Sequence, residues 1–157
     1  MPSNIDSVAL YKTRKMLREL SSKTGKGTEL ISLYIPPKKA LHEVLNNLRE
    51  EYGTATNIKS DSTRNHVQDA LTKTQQRLKL FKRTPENGIV LFVGSLMTNG
   101  PGSEQVFVNE IIPPKPVQTY LYRCDDHFHL EYLMDMIKEV DLIGVISIDS
   151  TEAGFGV

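Results

Sequence analysis

Cys124, Asp125, His127 and His129 bring a thiol, a carboxylate and two imidazoles into one short run of the chain. Two chemistries use such groups: metal ligation and a histidine-activated cysteine nucleophile. The spacing fits no common zinc pattern, and a closed structural zinc site needs four protein ligands. A nucleophilic cysteine needs a base and a group that orients the base. The sequence names neither for Cys124, and a half-buried thiol is the plainer reading. Neither phosphate-cradling glycine motif occurs.

A second concentration of chemistry is electrostatic. Lys59, Arg64, Lys73, Arg77, Lys79, Lys82 and Arg83 stand against only Asp61 and Asp69 in one segment of a chain whose net charge is zero. A solvated helix face would account for it. So would contact with RNA phosphates, where basic side chains position a protein without reading sequence. Directly before this segment lies Gly53-Thr54-Ala55-Thr56-Asn57-Ile58-Lys59-Ser60, polar except for Ala55 and Ile58. It falls between two stretches of helical periodicity, which places it at the exposed tip of a helical hairpin. Ile58 is the odd residue there, an apolar side chain that needs a surface to pack on.

The elements that must position these groups follow from composition and periodicity. With 157 residues, 39% hydrophobic and 24% charged, the chain makes one domain, or one domain and the start of another. The absence of net charge excludes a global basic field, so any nucleic-acid contact must be local. A single cysteine excludes an internal disulfide and suits a reducing cytosol. The first turns, with Lys12, Arg14, Lys15 and Arg18, do not read as a secretory signal. No apolar run is long enough for a membrane span.

Residues 8–21 read as a helix, and Leu30–Ile35 as a strand whose continuous apolar character implies cover on both faces. The spacing of Leu41, Val44, Leu45, Leu48 and Tyr52 predicts an amphipathic helix from about Lys39 to Tyr52, ended by Gly53 as a C-terminal cap. After the tip, Ser60 or Ser62 caps a helix to about Arg83, roughly 30 Å long, with Val67, Ala70, Leu71, Thr74, Leu78 and Phe81 inward. So short a connection makes the two helices antiparallel. Ile89–Leu96 and Glu104–Ile112 form a hairpin of strands. Thr119–Cys124 is a further strand, and 129–139 a short helix with Leu130, Leu133, Met134 and Ile137 inward. Leu142–Asp149 reads as one more apolar strand, with 153–157 pairing back on it. The fold class is α/β or α+β: a mixed sheet of about four strands covered by helices, with a protruding antiparallel helical hairpin.

Two motifs carry a resemblance. Thr54-Ala55-Thr56-Asn57-Ile58-Lys59-Ser60 resembles the TAS-NIKS motif of the class-1 translation termination (peptide chain release) factors of archaea and eukaryotes, with Thr56 in place of the usual serine. Tyr122-x-Cys124-x-x-x-Phe128 matches that family's YxCxxxF motif in full. Flanking agreement runs through Ile31-Ser32-Leu33 with Pro36-Pro37, Gln75 to Leu80, and Cys124-Asp125 with Phe128-His129. Glu29 follows Gly27-Thr28 where many eukaryotic members have serine, which points to an archaeal type.

The resemblance implies stop-codon recognition in the ribosomal A site by the amino-terminal domain of such a factor. It maps the family's decoding residues onto Thr28, Glu51, Thr54, Ala55, Thr56, Asn57, Ile58, Lys59, Ser60, Tyr122, Cys124 and Phe128. It implies the mRNA stop codon, small-subunit ribosomal RNA and the ribosome as partners, and a class-2 GTPase reached through other domains. It implies no cofactor, no metal, no catalytic residue in this domain, a cytoplasmic location, no membrane and a monomer. The family's Gly-Gly-Gln motif for peptidyl-tRNA hydrolysis does not occur here. Residues 1–139 are then expected to be the decoding domain, and 140–157 the start of a truncated middle domain. Two other readings stand beside this one. A ribosome-rescue paralogue of the same fold lacks the Asn-Ile-Lys-Ser motif, and a standalone cysteine enzyme would use Cys124. Taken alone, Tyr122 and Cys124 read as core residues on one strand face, Phe128 as core, and Glu51 beside Glu50 as a solvated helix end.

Overall fold

The computed structural model describes residues 7–23, 29–97 and 104–138. In chain order they form α1 (Ser7–Ser21), β1 (Leu30–Ile35), α2 (Leu41–Ala55), α3 (Asp61–Leu78), β2 (Ile89–Met97), β3 (Glu104–Ile111), β4 (Leu121–Asp125) and a last helix, α4, over residues 131–138. The expected strands 142–149 and 153–157 and the proposed boundary at 139/140 lie outside the described residues.

The four strands make one sheet in the order β3-β2-β1-β4. Every neighbouring pair is antiparallel, so the sheet is α+β in type and not mixed. The continuous apolar run of β1 reflects cover on both faces, as expected. β1 is buried at all six positions because helices cover both faces of an antiparallel sheet. Side chains alternate across a strand, and the register turns this into two cores. On one face, Ile31, Leu33 and Ile35 of β1 join Ile89, Leu91 and Val93 of β2 under Val44, Leu48, Val67, Ala70, Leu71 and Leu78 of α2 and α3. On the other, Leu30 and Tyr34 join Val90 and Phe92 under Leu17 and Leu20 of α1 and Leu133 and Ile137 of α4.

The chain between β1 and β2 forms the hairpin of helices. Thr84, beyond the end of α3, donates its hydroxyl to the Lys39 carbonyl, just before α2, at 2.5 Å. At the opposite end Gln68 donates to the Thr56 hydroxyl at 3.4 Å. Contacts at both ends make the two helices antiparallel, as the short connection requires. Entry to β2 depends on Gly88, the one described residue with positive φ, at 82°. A side chain there would place Cβ 2.1 Å from the Ile35 carbonyl oxygen, so only glycine fits both the backbone and the space.

Several local expectations are corrected. Gly53 does not end α2; the helix continues to Ala55, which is buried and anchors the last turn in the core. Tyr52 is exposed rather than inward. α3 stops at Leu78, and only Phe81 of the following residues packs back against the core. Met134 of α4 faces outward, while Leu130, Leu133 and Ile137 are buried as expected. No helix among the described residues is long and apolar enough to cross a membrane.

Candidate nucleic-acid interface

The tip of the hairpin is residues 56–60. The carbonyls of Gly53, Thr54 and Ala55, left without partners where α2 ends, accept from the backbone N–H groups of Thr56, Asn57 and Ile58 at 3.2, 3.1 and 3.0 Å. Ser60 starts α3 as its N-cap, accepting from the Thr63 N–H at 3.3 Å. Arg64 closes the turn by donating to the Ile58 carbonyl at 3.2 Å and to Asp61 at 2.7 Å. Within this frame Ile58 is half-buried and packs on the α2–α3 core, which explains an apolar residue at a tip. Thr56, Asn57, Lys59 and Ser60 are exposed. Thr54 is exposed too, its hydroxyl bonded to the Glu50 carbonyl at 3.1 Å, and Ala55 is buried. The tip thus offers an amide and an ammonium to solvent from a backbone fixed on both sides.

Beside the tip, β4 turns Tyr122 and Cys124 toward α2. Leu33 pairs with Tyr122 and Ile31 with Cys124 in the antiparallel register, so both side chains share the face covered by the hairpin. Glu51, on the C-terminal half of α2, is half-buried and close enough for its charge to act on Tyr122, Cys124 and Tyr120. Burial raises the Tyr122 phenol well above its ordinary range, and the neighbouring Cys124 and Glu51 add to the rise. The Cys124 thiol is pushed up to about 11, first by burial; a hydrogen bond from Tyr122 opposes the shift, and Glu51, Asp125 and Glu29 add to it. α2 and β4 therefore bring the Glu51 carboxylate within electrostatic reach of a neutral phenol and a neutral thiol.

That state of Cys124 weighs against a nucleophile, which needs a depressed pKa. Against an ordinary thiol at 9.0, a pKa of about 11 leaves roughly a hundredfold less thiolate near neutral pH. Alkylation of Cys124 by iodoacetamide is expected to be correspondingly slow at pH 8. It should accelerate about tenfold per pH unit up to about 11. A rate that levels off near pH 8 would show that the thiol is not buried beside carboxylates.

The remaining motif residues fall elsewhere. Phe128 is buried under the opposite face of the sheet, edge-on to Phe92 with ring centroids 5.6 Å apart. It anchors the end of β4 from behind and does not share the face of Tyr122 and Cys124. Thr28 lies outside the described residues. Of the basic segment, Arg64 is engaged at the tip and Arg77 approaches Glu110 at 3.6 Å. Lys59, Lys73, Lys79, Lys82 and Arg83 are exposed.

One buried polar pair has no sequence signal. Glu29, 4% exposed, sits just before β1 with its Oε2 3.1 Å from Nδ1 of His66. The Thr63 hydroxyl donates to its other oxygen at 3.5 Å. The pair ties the start of β1 to the first turns of α3, directly behind the Ser60 cap. Thirty-seven positions separate the two residues, and only the packing of α3 on the sheet brings them together.

With this geometry in view, residues 8–138 match the family described as eRF1 domain 1. The chain belongs to that family. It is 50% identical over 151 residues to peptide chain release factor subunit 1 of Methanocaldococcus jannaschii, covering 96% of this chain and 36% of the relative. It is 49% identical over 146 residues to peptide chain release factor subunit 1 of Picrophilus torridus, covering 93% of this chain and 35% of that one. Among solved structures it resembles the archaeal translation termination factor aRF1, with a TM-score of 0.71 and 36% identity over 82% of this chain and 34% of that one. These relatives are archaeal, in line with the type inferred from Glu29. The chain spans about a third of the length of the curated relatives it matches.

Proposed function

We propose that this domain reads stop codons in the ribosomal A site as the decoding part of a translation termination factor. The observation that carries the proposal is that Glu51 lies close enough to act on Tyr122 and Cys124, which share the sheet face covered by the hairpin that ends in the Asn57-Ile58-Lys59-Ser60 tip. A stop codon opens with uridine, whose carbonyl oxygens suit the Asn57 amide and the Lys59 ammonium as donors. Its second and third bases are purines, whose exocyclic amines need an acceptor such as Glu51. Tyr122 adds an aromatic edge or a hydroxyl. Unstacked single-stranded bases are the usual objects of specific RNA readout.

On this reading the partners are the mRNA stop codon, small-subunit ribosomal RNA and the ribosome. Exposed Lys73, Lys79, Lys82 and Arg83 supply sequence-independent phosphate contacts. Residues 1–139 form the decoding domain and 140–157 begin the next. The full-length factor, working in the cytoplasm with a class-2 GTPase, triggers peptidyl-tRNA hydrolysis through a domain other than this one. Phe128 serves by holding β4, and this domain performs no chemistry.

Lys59→Ala in the full-length factor tests the assignment of the tip. One lost charge-assisted hydrogen bond is worth about 1.5 kcal/mol, so stop-codon-dependent release should fall about tenfold. Unchanged release would remove Lys59 from the decoding set.

A further inference from the structure

The turn leaving β4 gathers Asp125, His127 and His129, with one donor atom of each within 4.8 Å of the others. Nε2 of His129 lies 3.2 Å from Oδ2 of Asp125, and the two imidazole centroids are 4.7 Å apart. The other ring nitrogens are also engaged. Nδ1 of His127 lies 2.6 Å from Oδ1 of Asp126, and Nδ1 of His129 lies 3.4 Å from Oε1 of Glu131. At His127 the carboxylate at Nδ1 holds the imidazole hydrogen there and leaves Nε2 as the lone-pair donor, the device that orients metal-ligating histidines. At His129 carboxylates flank both ring nitrogens, and a metal at Nε2 would take the place of a hydrogen shared with Asp125.

The backbone beneath is fixed to buried β1. The His129 N–H donates to Ser32 Oγ at 2.8 Å, and its carbonyl accepts from the Tyr34 hydroxyl at 2.6 Å. Asp125 Oδ1 accepts from the Asp126 N–H at 2.8 Å, which leaves Oδ2 for the histidine side. His127 is the more exposed of the two histidines, with 53% of its side chain exposed against 18% for His129.

We infer that Asp125, His127 and His129 bind a divalent transition-metal ion of the zinc class. Nε2 of both histidines and Oδ2 of Asp125 are the ligands, and water completes the shell. Two imidazoles with one carboxylate suit zinc, nickel or copper rather than magnesium or calcium, and three protein ligands with water make an open tetrahedral site. The ion clasps the turn that seats Phe128 and leads into α4. This site is independent of the codon-reading proposal. The sequence brings these groups to notice, but their spacing matches no zinc motif and the backing carboxylates become meaningful only once the turn is folded.

Titration of the 157-residue chain with Co2+ tests the inference by the visible absorption of a tetrahedral complex, followed by displacement with Zn2+. The expected result is one ion per chain, with binding weakened more than tenfold in His127→Ala and in His129→Ala. Glu131→Ala and Asp126→Ala remove only the backing groups and should each weaken it roughly tenfold. His42→Ala, on the exposed surface of α2, and Cys124→Ser should leave it unchanged. Circular dichroism of His127→Ala, an exposed position, ensures that any loss is read on a folded chain. Absence of binding at high micromolar metal would overturn the inference. So would binding that survives loss of both histidines, or binding that disappears in Cys124→Ser.

Discussion

Glu51→Ala in the full-length factor should reduce stop-codon-dependent peptide release by roughly ten- to hundredfold, with overall ribosome binding far less affected. The charge of Glu51 acts on both Tyr122 and Cys124. Glu51 is the carboxylate whose charge reaches Tyr120, Tyr122 and Cys124 together, and it suits the exocyclic amines of purines as an acceptor. A hydrogen bond to a charged group is worth about 1.5–3 kcal/mol net, which converts to that range of rates. Glu51→Gln keeps the shape, weakens the acceptor and should fall between wild type and alanine. The same substitution has a readout that needs no ribosome. Glu51 helps to raise the Cys124 thiol, so removing its charge should lower the thiol pKa from about 11 and speed alkylation at a given pH. Slower release together with faster alkylation places Glu51 beside Cys124 and in decoding. Faster alkylation with unchanged release would keep the geometry and remove Glu51 from codon reading.

Leu33→Ala should cost about 2–5 kcal/mol of folding stability. Leu33 is fully buried in the middle of the sheet, with Leu91 on one side and Tyr122 on the other. It also lies in the core beneath α2 and α3, so the cavity would open where the hairpin rests on the central strand beside Tyr122. Domains are stable by only about 5–15 kcal/mol, so the loss is a large share of the whole. The chain has no tryptophan, and urea unfolding followed by circular dichroism is the suitable measurement. A loss below about 1 kcal/mol would mean that the sheet and hairpin are not packed through this residue.

The parts of the fold that could be read in advance were those governed by periodicity. Val44 and Leu48 in α2, and Val67, Ala70, Leu71 and Leu78 in α3, fix which face of each helix is buried whatever lies beneath. Ser60 was legible as a cap because its chemistry is local. Strand direction was not, because a strand buried on both faces reads alike in parallel and antiparallel sheets. Gly53 misled because a glycine permits a helix stop without forcing one, and the burial of Ala55 carries the helix two residues further.

In the site, Ile58 was correctly singled out as needing a surface, and the structure supplies that surface from the hairpin itself. Phe128 is core, as read from the sequence, but its motif does not say on which face, and the turn after β4 carries it to the opposite face from Tyr122 and Cys124. The Glu29–His66 pair and the Asp125–His127–His129 group depend on tertiary neighbours and turn geometry, and spacing alone expresses neither.

The measurement that bears most directly on the central claim is binding of the factor to ribosome complexes with UAA, UAG, UGA or the sense codon UGG in the A site. The account predicts tighter binding to the three stop codons than to UGG, with the difference shrinking in Glu51→Ala and Lys59→Ala. Equal affinity for UGG and the stop codons would contradict it.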